Sequence, residues 1–300
     1  MMHYPLLHPG DTVELIAPAA RCSDEQLSSI KELLISWGLN CIVDPALFGK
    51  DLLCANSDVN RFTLLKNALY RPETKAIICV RGGYGSLRLI PELAQLSQPS
   101  QSKLLIGMSD ITALNLYLMQ QWQWPILHAA LALDKFSPES IAAVKYFLFN
   151  RPSQVQLHGY PLNKAAQKSG MIQAALTGGN LCMVQTSIGT IWQMNAKNKI
   201  IFLEEINERG YRIDRMLVHL QQAGLFHDIA AIIFGDFIQG FEPNGSSLID
   251  PVLARFAENC SIPVVQIKGL GHGPTNFPIP LGMESTLKLG ISPELSFNDF

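Results

Sequence analysis

Residues 103–118, KLLIGMSDITALNLYL, run from a short apolar strand pattern through Gly107, Met108, Ser109 and Asp110 into a helical pattern. A strand followed at once by a helix is the repeating unit of a parallel sheet flanked by helices. We therefore expect Ser109 at a turn on the carboxyl edge of a sheet. Amides at the start of the following helix would face any developing anion there. The stretch predicts an α/β fold and places a serine where a nucleophile could stand.

Ser109 has two interpretations. Serine is a preferred N-cap of helices, and this segment alone favours that structural role over a catalytic one. The G-x-S-x-G turn of α/β-hydrolases is incomplete because Ile111 occupies the position of its second glycine. An ordinary α/β-hydrolase fold is therefore disfavoured.

The first half of the chain repeats this strand–helix alternation. Strands are predicted at residues 12–16, 41–43, 76–80 and 104–106, and helices from a capping box at Ser23 and Gln26, at 58–70 and at 86–96. Residues 151–170 are polar and contain Gly and Pro, as linkers often do. We therefore predict a domain over residues 1–150, a linker over 151–170 and a smaller domain over 171–300. Apolar runs at 200–203, 230–234 and 264–267 predict a mixed or barrel-like sheet in the second domain.

The composition excludes several functional classes. Among 300 residues, 23 Lys and Arg stand against 25 Asp and Glu without a block of either sign, so nucleic-acid binding is not expected. The N-terminal sequence lacks a signal-peptide pattern, and no apolar run is long enough to span a membrane. The six cysteines are dispersed and form no CxxC pair, and no HExxH spacing is present, so we do not expect a zinc site. We expect a cytoplasmic protein without metal or cofactor.

A second candidate segment is AIICVRGGYGSLRLIPEL at residues 76–93, where a strand ends in a glycine turn that includes Gly82, Gly83 and Gly85. Backbone amides of such a turn can hold a phosphate or form an oxyanion hole, and a purely structural turn is equally compatible. Neither a dinucleotide fingerprint nor a Walker lysine is present. Arg81 beside the turn is a candidate partner for a substrate carboxylate, with an ordinary surface ion pair as the alternative.

The C-terminal half supplies a carboxylate and a histidine. A predicted strand in KIIFLEEINERGYRIDRML, residues 199–217, delivers Glu204 and Glu205 to its end. His272 lies between two glycines in KGLGHGPTNFPIPLG, residues 268–282, where exposure suits a general base. Taken alone, each has a common surface role. His128, at the end of another predicted strand, is a candidate for lining a cleft.

Together these segments resemble the LD-carboxypeptidase family, which includes muramoyltetrapeptide carboxypeptidases and microcin C self-immunity peptidases. The resemblance covers nearly the whole chain and keeps the family's order of motifs. The motifs that carry it are GDTVELIAPAA, VRGGYGSLRLIPEL, LIGMSDITALNLYL, TGGNLCMVQTSIGT, FLEEINERGYRIDRML and GLGHGPTNFPIPLG.

The resemblance implies a flavodoxin-like nucleophile domain, a swivelling C-terminal domain and a triad of Ser109, Glu204 and His272. Glu204 matches the family's first acidic position, and alternation along a strand would turn Glu205 to the other face. The resemblance further implies an oxyanion hole made by the amides of the glycine turn and of Asp110, and a homodimer. The candidate residues are Gly82, Gly83 and Asp110 for the oxyanion hole, and Arg81, Tyr84 and His128 for substrate binding.

The family implies a serine peptidase that cleaves the L,D-amide before the terminal D-alanine of murein tetrapeptides in cell-wall recycling. A microcin-type immunity peptidase that cleaves acyl-adenylate analogues is the alternative enzyme. Stacking aromatic residues in the second domain would favour it, and Trp192 is the only tryptophan there. The alternative of another class is a non-catalytic nucleotide- or peptide-binding protein, in which Ser109 only caps a helix.

Overall fold

The computed structural model describes residues 4–151 and 155–298. The chain divides into two compact units. The first ends at Arg151 and also contains Pro278–Pro280, and the second contains the remaining described residues.

The regular elements alternate along the chain. The strands are β1 (Thr12–Ile16), β2 (Asn40–Val43), β3 (Thr74–Cys79), β4 (Leu104–Ile106), β5 (Ile126–His128), β6 (Gln156–His158), β7 (Tyr160–Pro161), β8 (Gly170–Asn180), β9 (Ile200–Ile206), β10 (Ala231–Ile238), β11 (Val264–Gln266), β12 (Ile279–Leu281), β13 (Glu284–Leu289) and β14 (Glu294–Phe297). The α-helices are α1 (Asp24–Ser36), α2 (Asp58–Tyr70), α3 (Ile90–Leu93), α4 (Thr112–Gln121), α5 (Pro138–Phe149), α6 (Lys164–Gln167), α7 (Leu181–Thr186), α8 (Gly210–Gln222) and α9 (Ile249–Glu258). Two 3₁₀ turns cover Ser86–Leu89 and Ser109–Ile111.

The first unit is built on a sheet in the order β12-β5-β4-β3-β1-β2. The pairings among β1 to β5 are all parallel, and their order, 2-1-3-4-5, is that of flavodoxin-like folds. Such a sheet is covered on both faces, which explains why every residue of β4 and β5 is buried, instead of every second one. The α/β class and the flavodoxin-like domain are confirmed.

The second unit holds a mixed sheet in the order β6-β14-β13-β8-β9-β10-β11-β7. Strands β8 to β11 pair in parallel, and the strands on either side of them pair antiparallel. Strand β8 serves both parts: its first half pairs with β13 and its second half with β9.

The two edge strands of this sheet, β6 and β7, are consecutive in the chain and separated only by Gly159. One residue can join opposite edges only if the sheet curls round, so the mixed sheet is barrel-like, as the sequence predicted. A Cβ at Gly159 would lie 2.3 Å from the carbonyl oxygen of Gln266, so the junction requires glycine. Residues 156–167, within the segment predicted as a linker, instead form β6, β7 and α6 and belong to the fold of this unit.

Local signals set several element boundaries. Helix α1 begins with the expected capping box, since Ser23 accepts from the amide of Gln26 and the Gln26 side chain accepts from Ser23. The single helix predicted at residues 86–96 is a 3₁₀ turn followed by the short α3. Gly85, with φ +117°, is the N-cap of this 3₁₀ turn and has no side chain to cap it.

Candidate active site

Ser109 occupies a strained turn directly after β4. Its φ is +64°, a left-handed value that costs a residue with a side chain about 1–2 kcal/mol. Ser109 is the first residue of the 3₁₀ turn Ser109–Ile111, whose N-cap is Met108, and no side chain caps that turn. Ser109 is therefore not the helix cap that its segment alone suggested. It is half-buried, whereas Asp110 and Ile111 after it are buried.

The glycine turn after β3 lies against this serine. A Cβ at Gly82 would be 2.8 Å from the Cβ and 3.2 Å from the Oγ of Ser109. Gly83 has φ +102°, and a Cβ there would be 2.5 Å from that of Ala20, whose amide donates to the Gly82 carbonyl at 3.0 Å. Only glycine fits at these two positions. The turn thus brings bare backbone against the serine side chain, as an oxyanion hole requires.

Asp110 joins these two segments through its side chain. Its carboxylate, only 4% exposed, accepts hydrogen bonds from the amides of Ser86 at 2.8 Å and Gly85 at 3.3 Å. The hydroxyl of Ser86 donates to the main-chain oxygen of Asp110 at 2.6 Å. The glycine turn and the serine turn are therefore tied together.

The three candidate substrate-binding residues of this unit differ in exposure. Arg81 is exposed, and its Nη1 donates to the carbonyl of Arg21 at 3.2 Å. Tyr84 is 42% exposed at the tip of the turn. His128 is fully buried at the end of β5, which argues against direct contact between its ring and a substrate.

In the second unit, Glu204 on β9 and His272 form a short hydrogen bond. Oε2 of Glu204 lies 2.6 Å from Nδ1 of His272, the carboxylate is fully buried, and 16% of the imidazole side chain is exposed. An ionised carboxylate only accepts hydrogen bonds, so it holds the proton on Nδ1. In this tautomer Nε2 carries no proton and is able to accept one, as a general base must.

The loop that carries His272 is shaped around this pair. Gly271 has φ +130°, and a Cβ there would be 2.8 Å from Oε2 of Glu204. The Gly271 amide donates to Oδ1 of the buried Asn276 at 3.2 Å. Asp236, at an irregularity in the pairing of β10 with β9, accepts from the Gly269 amide at 3.1 Å. Burial raises the pKa of Asp236.

Glu205 faces away from His272, as alternation along a strand predicts. Its carboxylate accepts from Nδ2 of Asn180 at 2.9 Å and from the amide of Cys182 at 2.8 Å, at the start of α7. Burial, followed by the nearby charge of Glu204, raises the pKa of Glu205 to about 7. Of the two adjacent glutamates, Glu204 is therefore the one that is hydrogen-bonded to His272.

Two further observations concern cofactors and membranes. Within residues 4–151 and 155–298, no group of three His, Cys, Asp or Glu side chains is placed to hold a metal ion. None of the helices in the described parts of the chain is long and apolar enough to cross a lipid bilayer.

Family models match most of both units. A model of the LD-carboxypeptidase N-terminal domain matches residues 13–129, and one of the LD-carboxypeptidase C-terminal domain matches residues 173–287. The chain belongs to the LD-carboxypeptidase family. It is therefore a member of a family of peptidases, and the resemblance inferred from its motifs is confirmed.

Individual carboxypeptidases are similar to this chain along most of their length. A putative carboxypeptidase of Rickettsia conorii is 41% identical, with 89% of this chain and 85% of the relative covered. The murein tetrapeptide carboxypeptidase of Pseudomonas aeruginosa is 26% identical, with 92% of each covered. The crystal structure of muramoyltetrapeptide carboxypeptidase from Oxalobacter formigenes superposes with a TM-score of 0.81 at 24% identity, covering 96% of this chain and 99% of that one. This last similarity shows the shared fold.

Sequence reasoning missed the residues that hold this LD-carboxypeptidase site in shape. The side chains of Asp110 and Asp236 accept from backbone amides that are remote in sequence, and Asn276 accepts from the Gly271 amide within its own loop. No motif in the sequence indicates these bonds. The glycines next to the site were the available signal, because a glycine with positive φ or a crowded Cα marks a close approach.

Proposed function

We propose that the chain is a serine LD-carboxypeptidase in which Ser109 is the nucleophile, His272 the general base and Glu204 its orienting carboxylate. The observation that carries the proposal is the 2.6 Å bond between the buried Glu204 and His272. A serine with φ +64° at the carboxyl end of a sheet strand supports it. A residue keeps such a conformation only where its surroundings enforce it, and such sites cluster in active centres.

The mechanism follows from these groups. Nε2 of His272 takes the proton of Ser109 Oγ as that oxygen attacks the amide carbonyl. Amides of Gly82, Gly83 and Asp110 stabilise the oxyanion, and His272 then protonates the departing amine. Water, activated by the same histidine, releases the acyl group. Glu204 stabilises the imidazolium that forms in each half of the reaction. The mechanism requires Nε2 to reach Oγ in the enzyme–substrate complex.

The proposed substrate is a murein tetrapeptide, cut before its terminal D-alanine. The name of the Pseudomonas aeruginosa relative supports this choice. Arg81 and Tyr84 are proposed to bind the peptide. A role in cell-wall recycling, a cytoplasmic location and a homodimer complete the proposal. Trp192, the aromatic residue that the microcin-type alternative would use for stacking, is only 4% exposed, so no observation favours that alternative.

The test measures release of D-alanine from murein tetrapeptide by the wild-type protein, by Ser109→Ala and by Ser140→Ala. Ser140 is a buried serine in α5 and serves as the matched control. We expect loss of all measurable activity in the first variant and wild-type activity in the second. Alanine release by Ser109→Ala would overturn the nucleophile assignment. Cleavage of an acyl-adenylate analogue in place of the tetrapeptide would overturn the substrate.

A further inference from the structure

The proposed chemistry uses only the main-chain amide of Asp110, yet the Asp110 side chain is built into the site. A buried carboxylate is costly unless its oxygens are hydrogen-bonded, and here each oxygen accepts one amide, from Gly85 or Ser86. Both amides lie at the start of the 3₁₀ turn after the glycine turn, so Asp110 caps a helical turn some 24 residues before it in sequence. A nearer residue would be sufficient for capping alone.

The bonds between the two segments run in both directions. While Ser86 donates its amide to the Asp110 carboxylate, its hydroxyl donates to the Asp110 main-chain oxygen. Ser86 is fully buried, so water does not compete for these bonds. The Asp110 residue that follows Ser109 is therefore held at its carboxylate and at its main-chain carbonyl by the same segment that carries the glycines.

The far side of the glycine turn is anchored as well. Nη1 of Arg61, which is 2% exposed, donates to the carbonyl of Gly85 at 3.0 Å and to that of Pro18. The Gly85 residue is thus held through its amide by Asp110 and through its carbonyl by Arg61. Together with the close approach of Gly82 to Ser109, these bonds hold the turn against the serine.

We propose that the Asp110 carboxylate is a positioning residue that sets the distance between the oxyanion-hole amides of the glycine turn and the nucleophile Ser109. The inference rests on the proposed function. One residue then supplies an oxyanion-hole donor with its amide and places the other donors with its side chain. The Asp110 side chain should therefore stabilise the transition state rather than the bound substrate, because the oxyanion hole binds the oxyanion more strongly than the substrate carbonyl.

Substitutions at Asp110 should give graded effects. Asn keeps one acceptor oxygen but turns an NH₂ group toward the second amide, whereas Ala leaves both amides without an acceptor. We expect kcat to fall about 10-fold in Asp110→Asn and about 100-fold in Asp110→Ala, the size of effect known for a misplacement of about 1 Å. KM should stay within about two-fold of the wild-type value, because ground-state binding is not affected.

The matched control is Glu14→Gln. Glu14 is also a 4% exposed carboxylate in the first sheet, where it accepts from Nε of Arg71 and the hydroxyl of Thr74, each at 3.0 Å. Thr74 begins β3, so this cluster lies at the edge where strands start, opposite to the edge that carries Ser109. We expect Glu14→Gln to be less stable than the wild-type protein but to have the same kcat.

The experiment measures kcat and KM, and the binding of two probes, for wild-type protein, Asp110→Asn, Asp110→Ala and Glu14→Gln. A peptide boronic acid, with boron in place of the scissile carbonyl, forms a tetrahedral adduct with the serine and reports on the oxyanion hole. A tetrapeptide with an N-methylated scissile amide reports on ground-state binding. The inference predicts that boronate affinity falls together with kcat in both Asp110 variants, while affinity for the methylated peptide is unchanged.

Parallel losses of affinity for both probes would show that Asp110 acts on folding of the site as a whole, and would overturn the inference. Wild-type kcat in both Asp110 variants would do the same. In either case the proposed function stands as long as Ser109→Ala is inactive. Activity in Ser109→Ala, or no boronate binding by the wild-type protein, would instead count against the proposed function itself.

Discussion

Replacement of Gly271 by alanine tests whether the acid–base pair depends on the shape of the His272 loop. The new Cβ would lie 2.8 Å from Oε2 of Glu204 and 3.0 Å from its Cβ. Ordinary contact begins at 3.4 Å, so the carboxylate oxygen and the loop must separate by about 0.6 Å. Along the bond to His272, a shift of that size takes the 2.6 Å hydrogen bond to the outer limit of hydrogen-bond length.

Two effects of different size follow from this change. The backbone cost of alanine at φ +130° is at least about 1–2 kcal/mol, which lowers Tm by about 2–4 °C for each kcal/mol. The displaced carboxylate no longer holds the imidazole in place, and a misplacement approaching 1 Å costs about 100-fold in rate. We therefore expect kcat/KM to fall about 100-fold.

Gly290→Ala is the matched control. Gly290 has φ +140°, and a Cβ there meets nothing within 4 Å, so this variant carries the backbone cost without the contact. Both variants should be less stable than the wild-type protein in a thermal melt, while only Gly271→Ala loses D-alanine release from the tetrapeptide. Wild-type kcat/KM in Gly271→Ala would refute the reasoning, since the Glu204–His272 geometry would then not matter to the reaction.

Two further predictions concern strain and pH. Ser109→Gly and Ser109→Ala should both be inactive. In urea unfolding, the glycine variant should be more stable than the alanine variant by roughly 0.5–1 kcal/mol, because φ +64° strains alanine and suits glycine. Equal stabilities would show that the turn is unstrained. Burial raises the pKa of Glu205 from 4.5 to about 7 in the folded chain, so the folded state binds more protons between these pH values and the free energy of unfolding falls as pH rises through them. Urea titrations at pH 5 and 7.5 should show a smaller fall in Glu205→Gln than in the wild-type protein, and an equal fall in both would contradict the assignment.

Where structure follows from neighbouring residues, the sequence was informative. Strands β1 and β4 and helix α2 have the predicted bounds, because apolar runs and caps are local signals. The choice of Glu204 over Glu205 combined the match to the family's first acidic position with the two-residue period of a strand. The turn at Ser109 was also placed correctly, since a strand pattern followed at once by a helix pattern requires a turn between them.

Where structure depends on distant contacts, the sequence was not sufficient. Strands β6 and β7 have three and two residues, too few to show a two-residue period in the sequence. They form because they pair with β14 and β11, which would otherwise be the edge strands of the sheet. The buried position of His128 was missed because the sequence does not show what covers the end of β5. The roles of Asp110 and Asp236 depend on amides brought close by folding.

The strain at Ser109 raises the question of what holds it. Strand β4 before the serine is fully buried, and eight of the ten residues of α4 after it are buried, Leu114, Leu116 and Leu118 among them. Burial of one such side chain contributes roughly 1.5–3 kcal/mol, so any one of them offsets the cost of a left-handed serine. The turn is therefore fixed from both ends by packing, and the serine needs no capping bond to stay there. Apolar contacts elsewhere thus determine the position of the hydroxyl, as the proposed role of Ser109 as nucleophile requires.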